Sequence, residues 1–320
     1  MHAAMLHQLL DKLTELPLLE NLLLRQHREE KVAPISLGNL SMPKLQSISS
    51  VMTPLDYVRD VGFSWSQITR ISLERVVLHH PSFRALHLCR SLRSLHINIW
   101  HSPVQQLQPI LLHSLEDLQV SFADEEYVAI LPGVMAPVLR ELHLAVSPWD
   151  FFNAPSVIPP LVTMLKNSGC QLKSLELNCR DIFNDVDRLQ DLLKSVPSLE
   201  ELSIKGHYTG DVRRETRLFF GLLIEMEGQS DRFLVPQLKK LDVSLKRKGL
   251  VRSPFDSLLS ASLNLRRVLG LRGFPVAVLE TASVEMWDDE GKMAWRFSNG
   301  SDITKEGANL DAGLEMEDDV

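Results

Sequence analysis

The sequence predicts an α/β fold, a leucine-rich-repeat solenoid with a curved parallel sheet on its concave side and helices and irregular segments on its convex side. Two observations carry this. The phrase Pro-x-Leu-x-x-Leu-x-Leu, with Ile or Val sometimes replacing Leu and the proline sometimes absent, recurs along the 320 residues. The distances between successive first hydrophobes are 26, 23, 24, 23, 24, 33, 27, 39 and 27 residues. The shorter ones fall in the roughly 20–29-residue period of leucine-rich repeats.

The first phrase is Pro17, Leu19, Leu22 and Leu24, followed by a weaker copy at Leu45, Ile48 and Ser50. Copies without proline follow at Ile68/Ile71/Leu73, Leu92/Leu95/Ile97 and Leu115/Leu118/Val120. Pro137 opens Leu139/Leu142/Leu144, and Leu172/Leu175/Leu177 comes next. Pro197 then opens Leu199/Leu202/Ile204, and Pro236 opens Leu238/Leu241/Val243. A weak copy at Leu265/Val268/Gly270 closes the series. In each phrase the last two hydrophobes are two apart, so a short strand turns both to one face and the residue between them to the other. The proline lacks an amide hydrogen and ends the incoming segment.

Between strands, Phe183, Val186, Leu189, Leu192 and Leu193 form one helical stripe. Ser253-Pro254 reads as an N-cap and first-turn proline leading into Phe255, Leu258 and Leu259. Residues 1–280 are therefore expected to form one array of about nine or ten irregular repeats. Val284 to Phe297 alternates on either side of Asp289-Glu290-Gly291, which predicts a β-hairpin cap over 281–299. Residues 300–320 have few large apolar side chains and are expected to be a disordered acidic tail.

Net charge is −7, and residues 301–320 account for −6 of it, leaving −1 on the rest. A near-neutral body excludes a broad basic nucleic-acid face. Lys246-Arg247-Lys248 is a local basic run expected just after a strand, in a solvated loop. No apolar run of about 18 residues suggests a membrane span, and Met1 to His7 lacks the basic start of a signal peptide. Three cysteines, an odd and sparse set, point to a reducing compartment, so a cytoplasmic or nuclear location is expected. No catalytic or metal-binding motif is present. The chain is expected not to be an enzyme and to need no cofactor or metal.

The repeat phrases, their irregular spacing and the phrase Phe63-Ser64-Trp65-Ser66-Gln67-Ile68-Thr69 resemble the repeat region of fungal, mushroom-type F-box/leucine-rich-repeat proteins. The resemblance covers roughly residues 15–280. It implies a substrate-recognition part of a cullin ubiquitin ligase, in which an F-box would grip a Skp-type adaptor. The first repeat already begins near Pro17, so the F-box itself is expected to be missing here, and a Skp-type adaptor is a partner only if an F-box exists upstream. The alternative is a stand-alone repeat scaffold or inhibitor unrelated to ubiquitin.

The repeat register also names the concave surface. Its expected partner-binding residues are Arg70, Ser72 and Glu74, then His96, Asn98 and Gln119, then Glu141 and His143, and lastly Glu176, Lys205, Lys240 and Asp242. Such a mixed polar surface suits a protein partner.

Overall fold

A computed structural model describes residues 15–25, 41–51, 64–77, 86–101, 109–147, 156–179, 182, 186–208, 234–247, 277–288, 291–298 and 304–308. The strands are β1 (Asn21–Arg25), β2 (Ser47–Val51), β3 (Arg70–Val77), β4 (Ser94–His101), β5 (Ile110–Leu111), β6 (Asp117–Phe122), β7 (Val134–Met135), β8 (Glu141–Val146), β9 (Ser174–Asn178), β10 (Glu201–Tyr208), β11 (Lys240–Arg247), β12 (Thr281–Asp288), β13 (Gly291–Ser298) and β14 (Thr304–Ala308). Two α-helices flank β9: α1 (Ile158–Ser168) and α2 (Val186–Ser195).

The fold is α/β, dominated by an open 12-stranded sheet in the order β1-β2-β3-β4-β6-β8-β9-β10-β11-β12-β13-β14. Strands β1 to β12 of that sheet run parallel, and only β13 and β14 are antiparallel. Each repeat phrase within the described residues supplies one strand, and successive strands of this kind are neighbours.

The register matches the phrases residue for residue. Leu22, Ile48, Ile71, Leu95, Leu118, Leu142, Leu175, Leu202, Leu241 and Ala282 form one continuous row across the sheet. From Ile48 onward every member of this row is buried. A second row, Leu73 to Val284, is also buried, and Ser50 stands in it as a buried polar residue. Each fully buried Leu or Ile contributes about 1.5–3 kcal/mol of transfer free energy, so the rows hold the strands to one face. The terminal repeat is less covered: Leu16, Leu19 and Leu22 are only partly buried.

The proline of the phrase does more than stop a segment. It occupies the second position of a turn closed by a backbone bond three residues apart, as in Leu139 N to Ala136 O at 3.2 Å and Leu199 N to Val196 O at 3.1 Å. Its fixed φ suits that position. Met42-Pro43-Lys44-Leu45 makes the same turn, so the second repeat has the opening of the others, although Ser50 stands in its last hydrophobic slot. Just after the turn, one carbonyl accepts from two consecutive amides of the next repeat. Lys173 O, for example, accepts from Glu200 N (2.8 Å) and Glu201 N (2.9 Å), and Glu200 O accepts from Lys239 N (2.8 Å) and Lys240 N (3.0 Å).

Helix α1 starts with Pro159 and Pro160 in its first turn and ends at Gly169, whose φ of 59° makes the left-handed cap with its amide on Leu165 O. It buries Leu161, Val162, Met164 and Leu165 and packs against α2, β7 and the 3₁₀ segment Glu125–Gly133. In α2 the expected stripe is present as Leu189, Leu192 and Leu193, all buried. Phe183 lies outside the described residues, as do the predicted helix at Ser253–Leu259 and the phrase at Leu265, Val268 and Gly270.

Three expectations are corrected. The parallel sheet continues without a break from β11 to β12, which pair directly. The phrase that supplies β12 is Leu279/Ala282/Val284, which the spacing does not single out; it has alanine in a leucine slot, and all three are buried. Consequently β12 belongs to the parallel array as well as to the hairpin with β13, so the boundary at 281 falls inside the sheet. Within the stretch expected to lack structure, Thr304–Ala308 pairs antiparallel with β13. Low apolar content argues against folding alone, whereas an open strand edge offers its backbone groups to any segment. Lys246 and Arg247, expected in a loop, close β11, and Lys248 lies outside the described residues. Among the described residues no helix is long and apolar enough to cross a membrane.

Candidate functional site: the exposed face of the sheet

Alternation along each strand leaves one residue per phrase pointing away from the core. In register these are Ser72, His96, Gln119, His143, Glu176, Ser203 and Asp242 from β3 to β11. Two residues earlier runs a parallel row: Arg70, Ser94, Asp117, Glu141, Ser174, Glu201 and Lys240. Two residues later, Asn98, Ser121, Ala145, Asn178, Lys205 and Ser244 align from β4 to β11.

All twelve expected residues therefore lie in β3 to β11 on these rows, except that Glu74 is offset. Strand β3 carries a bulge after Leu73, where Arg75 takes a φ of 53° and Val76 rather than Arg75 pairs with Ile99. The extra residue keeps Val76 in the core and breaks the alignment of Glu74 with Asn98.

The face is laced by polar contacts between adjacent strands. Ser94 Oγ donates to Asp117 Oδ2 (2.8 Å) and Ser203 Oγ to Asp242 Oδ2 (3.2 Å). Lys240 Nζ donates to Glu201 Oε1 at 2.5 Å. At the centre, Glu176 receives Lys205 Nζ on Oε1 (2.9 Å) and faces His143 Nδ1 from Oε2 (3.0 Å). Partial burial pushes the Glu176 carboxyl up, but the bonds and charges of Lys205 and His143 together outweigh this and hold it below its ordinary value. The hydrogen bond that Lys205 donates to Glu176 in turn raises the lysine.

A charged row at the N-terminal edge of the strands escaped the sequence reading. Lys173 and Lys239 both bind Glu200, at 2.6 and 2.8 Å. Their hydrogen bonds, Lys173 first, hold the Glu200 carboxyl down at about 2. The signal was available: in the phrases of β4 to β12 of the main sheet the residue after the first hydrophobe reads Arg93, Glu116, Arg140, Lys173, Glu200, Lys239 and Glu280, a mostly alternating series. It becomes meaningful only once the phrases are stacked in register.

The geometry stands by itself. No protein-family model matches the chain, and no curated protein is significantly similar to it. What the face offers is hydrogen bonding and charge. The Cys89 thiol is buried and pushed up to about 12 by desolvation, which suppresses the thiolate a nucleophile needs.

Proposed function

We propose that the chain is a protein-interaction module of leucine-rich-repeat type, whose exposed sheet face, concave in such an array, holds a protein partner. We further assign it to the substrate-recognition part of an F-box type ubiquitin-ligase receptor. The observation that carries the interaction reading is the in-register exposed surface. Ten parallel strands at about 4.8 Å spacing give it a length of roughly 43 Å. Its charges are mixed in sign, with Arg70, Lys205 and Lys240 against Asp117, Glu141, Glu176, Glu201 and Asp242, which suits a protein surface of complementary pattern, and their acidic excess disfavours a phosphate backbone. The ubiquitin part rests on the resemblance of the repeat phrases alone, with a Skp-type adaptor entering through an F-box.

The test begins with affinity capture from cells that express the protein and mass spectrometry of what is retained. The recombinant partner is then titrated by calorimetry. Arg70→Glu combined with His96→Glu is expected to weaken binding at least about tenfold with an unchanged melting temperature. Equal affinity in the double variant would move recognition off this part of the face. A captured partner whose half-life lengthens when the gene is deleted supports the ligase role, and an unchanged half-life with no adaptor in the complex rejects it.

A further inference from the structure

We propose that Asp117, Glu141 and His143 form a binding site for a divalent transition-metal ion, with Glu176 as the group that orients the histidine. The inference does not depend on the protein-partner reading; it uses only the geometry of β6, β8 and β9. Asp117 and Glu141 are paired across the β6–β8 ladder, and His143 lies two residues beyond Glu141 on the same face. One ligand atom from each of the three lies within 4.8 Å of the others. Oxygen and nitrogen ligands bound at about 2.1 Å sit roughly 3.0–3.4 Å apart around one ion. The exposed Glu141 side chain can swing to close that gap.

Two further observations point to a cation. Asp117 Oδ2 is satisfied by Ser94, but Asp117 Oδ1 is shielded from solvent and has no hydrogen-bond partner. Asp117 as a whole is only half-buried, but an oxygen shielded from water and given no donor is under-satisfied, and a cation would satisfy it. His143 is held through Nδ1 by Glu176 at 3.0 Å, and Glu176 is itself clamped by Lys205. A carboxylate on one ring nitrogen fixes the tautomer and leaves Nε2 as the ligand, the arrangement found behind metal-bound histidines. One imidazole and two carboxylates favour zinc, manganese, cobalt or ferrous iron over magnesium or calcium, which take oxygen ligands. The two carboxylates balance the ion's charge, and the remaining coordination position is open to water.

Isothermal titration of the full chain with zinc chloride is expected to show one equivalent bound more tightly than magnesium. Asp117→Asn, Glu141→Gln and His143→Gln should each weaken it at least about tenfold, and Glu176→Gln by about 10–100-fold. Glu201→Gln, on the same face but paired with Lys240, should bind as the parent does. Cobalt substitution adds a readout independent of affinity: its visible absorption should change in His143→Gln. Circular dichroism confirms that each variant is folded. No zinc binding by the parent, or zinc binding and a cobalt spectrum unchanged in His143→Gln, would overturn the site. Loss of a protein partner would leave these results as they are.

Discussion

Leu202 and Ser203 are adjacent in sequence and opposite in role. Leu202 is 2% exposed in the core row, whereas Ser203 sits on the outer face and bonds Asp242. Leu202→Ala is expected to cost about 2–5 kcal/mol by urea denaturation, and Ser203→Ala no more than about 1 kcal/mol. Equal losses would show that the division into a core face and an outer face is wrong here. Gly206 is constrained for another reason. A Cβ there would collide with the carbonyl oxygen of Cys179, whose amide bonds Lys205 O. Gly206→Ala should therefore lose about 1–3 kcal/mol. The position of Leu202 could be read from the phrase; the demand for glycine at 206 could not, because it arises where two chain segments cross.

At the scale of one element, β12 shows why a phrase can hide. Its Leu279-x-x-Ala282-x-Val284 has the repeat spacing but a small residue where other strands carry leucine or isoleucine, and the alternating Val284 and Met286, then Met293, Trp295 and Phe297, draw the eye to a hairpin instead. Both readings describe the strand: one edge pairs with β11 and the other with β13. If β12 is integral to the array, the amides of Glu280 and Thr281, which bond Lys239 O, should exchange with deuterium as slowly as those of Lys239 and Lys240. Exchange faster by orders of magnitude would make the hairpin a detachable cap. The parallel strands were legible elsewhere because leucine spacing and strand pairing coincide. The charged edge was not, because its meaning depends on which strands become neighbours.

Across the whole molecule each element of the main sheet touches mainly the next, so ties that cross several strands matter for cooperativity. The Lys173–Glu200–Lys239 bridge is such a tie, linking the edges of β9, β10 and β11. The Glu200 carboxyl falls from its ordinary 4.5 to about 2. A depressed carboxylate contributes stability above the unfolded value and loses it as pH falls. The melting temperature of the parent should exceed that of Glu200→Gln at neutral pH, and the difference should close between about pH 4.5 and pH 2. The lysines act in the opposite sense: Lys239, raised mainly by its hydrogen bond to Glu200, contributes below its ordinary 10.5 and loses that contribution as pH climbs beyond it. A difference between the two proteins that stays constant from pH 7 to pH 2 would show that the bridge is not what Glu200 contributes.

The turn-and-strand phrases meet in one register although 23 residues separate Leu45 from Ile68 and 41 separate Leu238 from Leu279. Within a phrase, one inserted or deleted residue turns every later side chain of that strand over. Between phrases, doubling a connection costs only about 0.6 kcal/mol of loop closure. The spacing between phrases can therefore vary while the exposed face of the sheet keeps the same text, strand after strand.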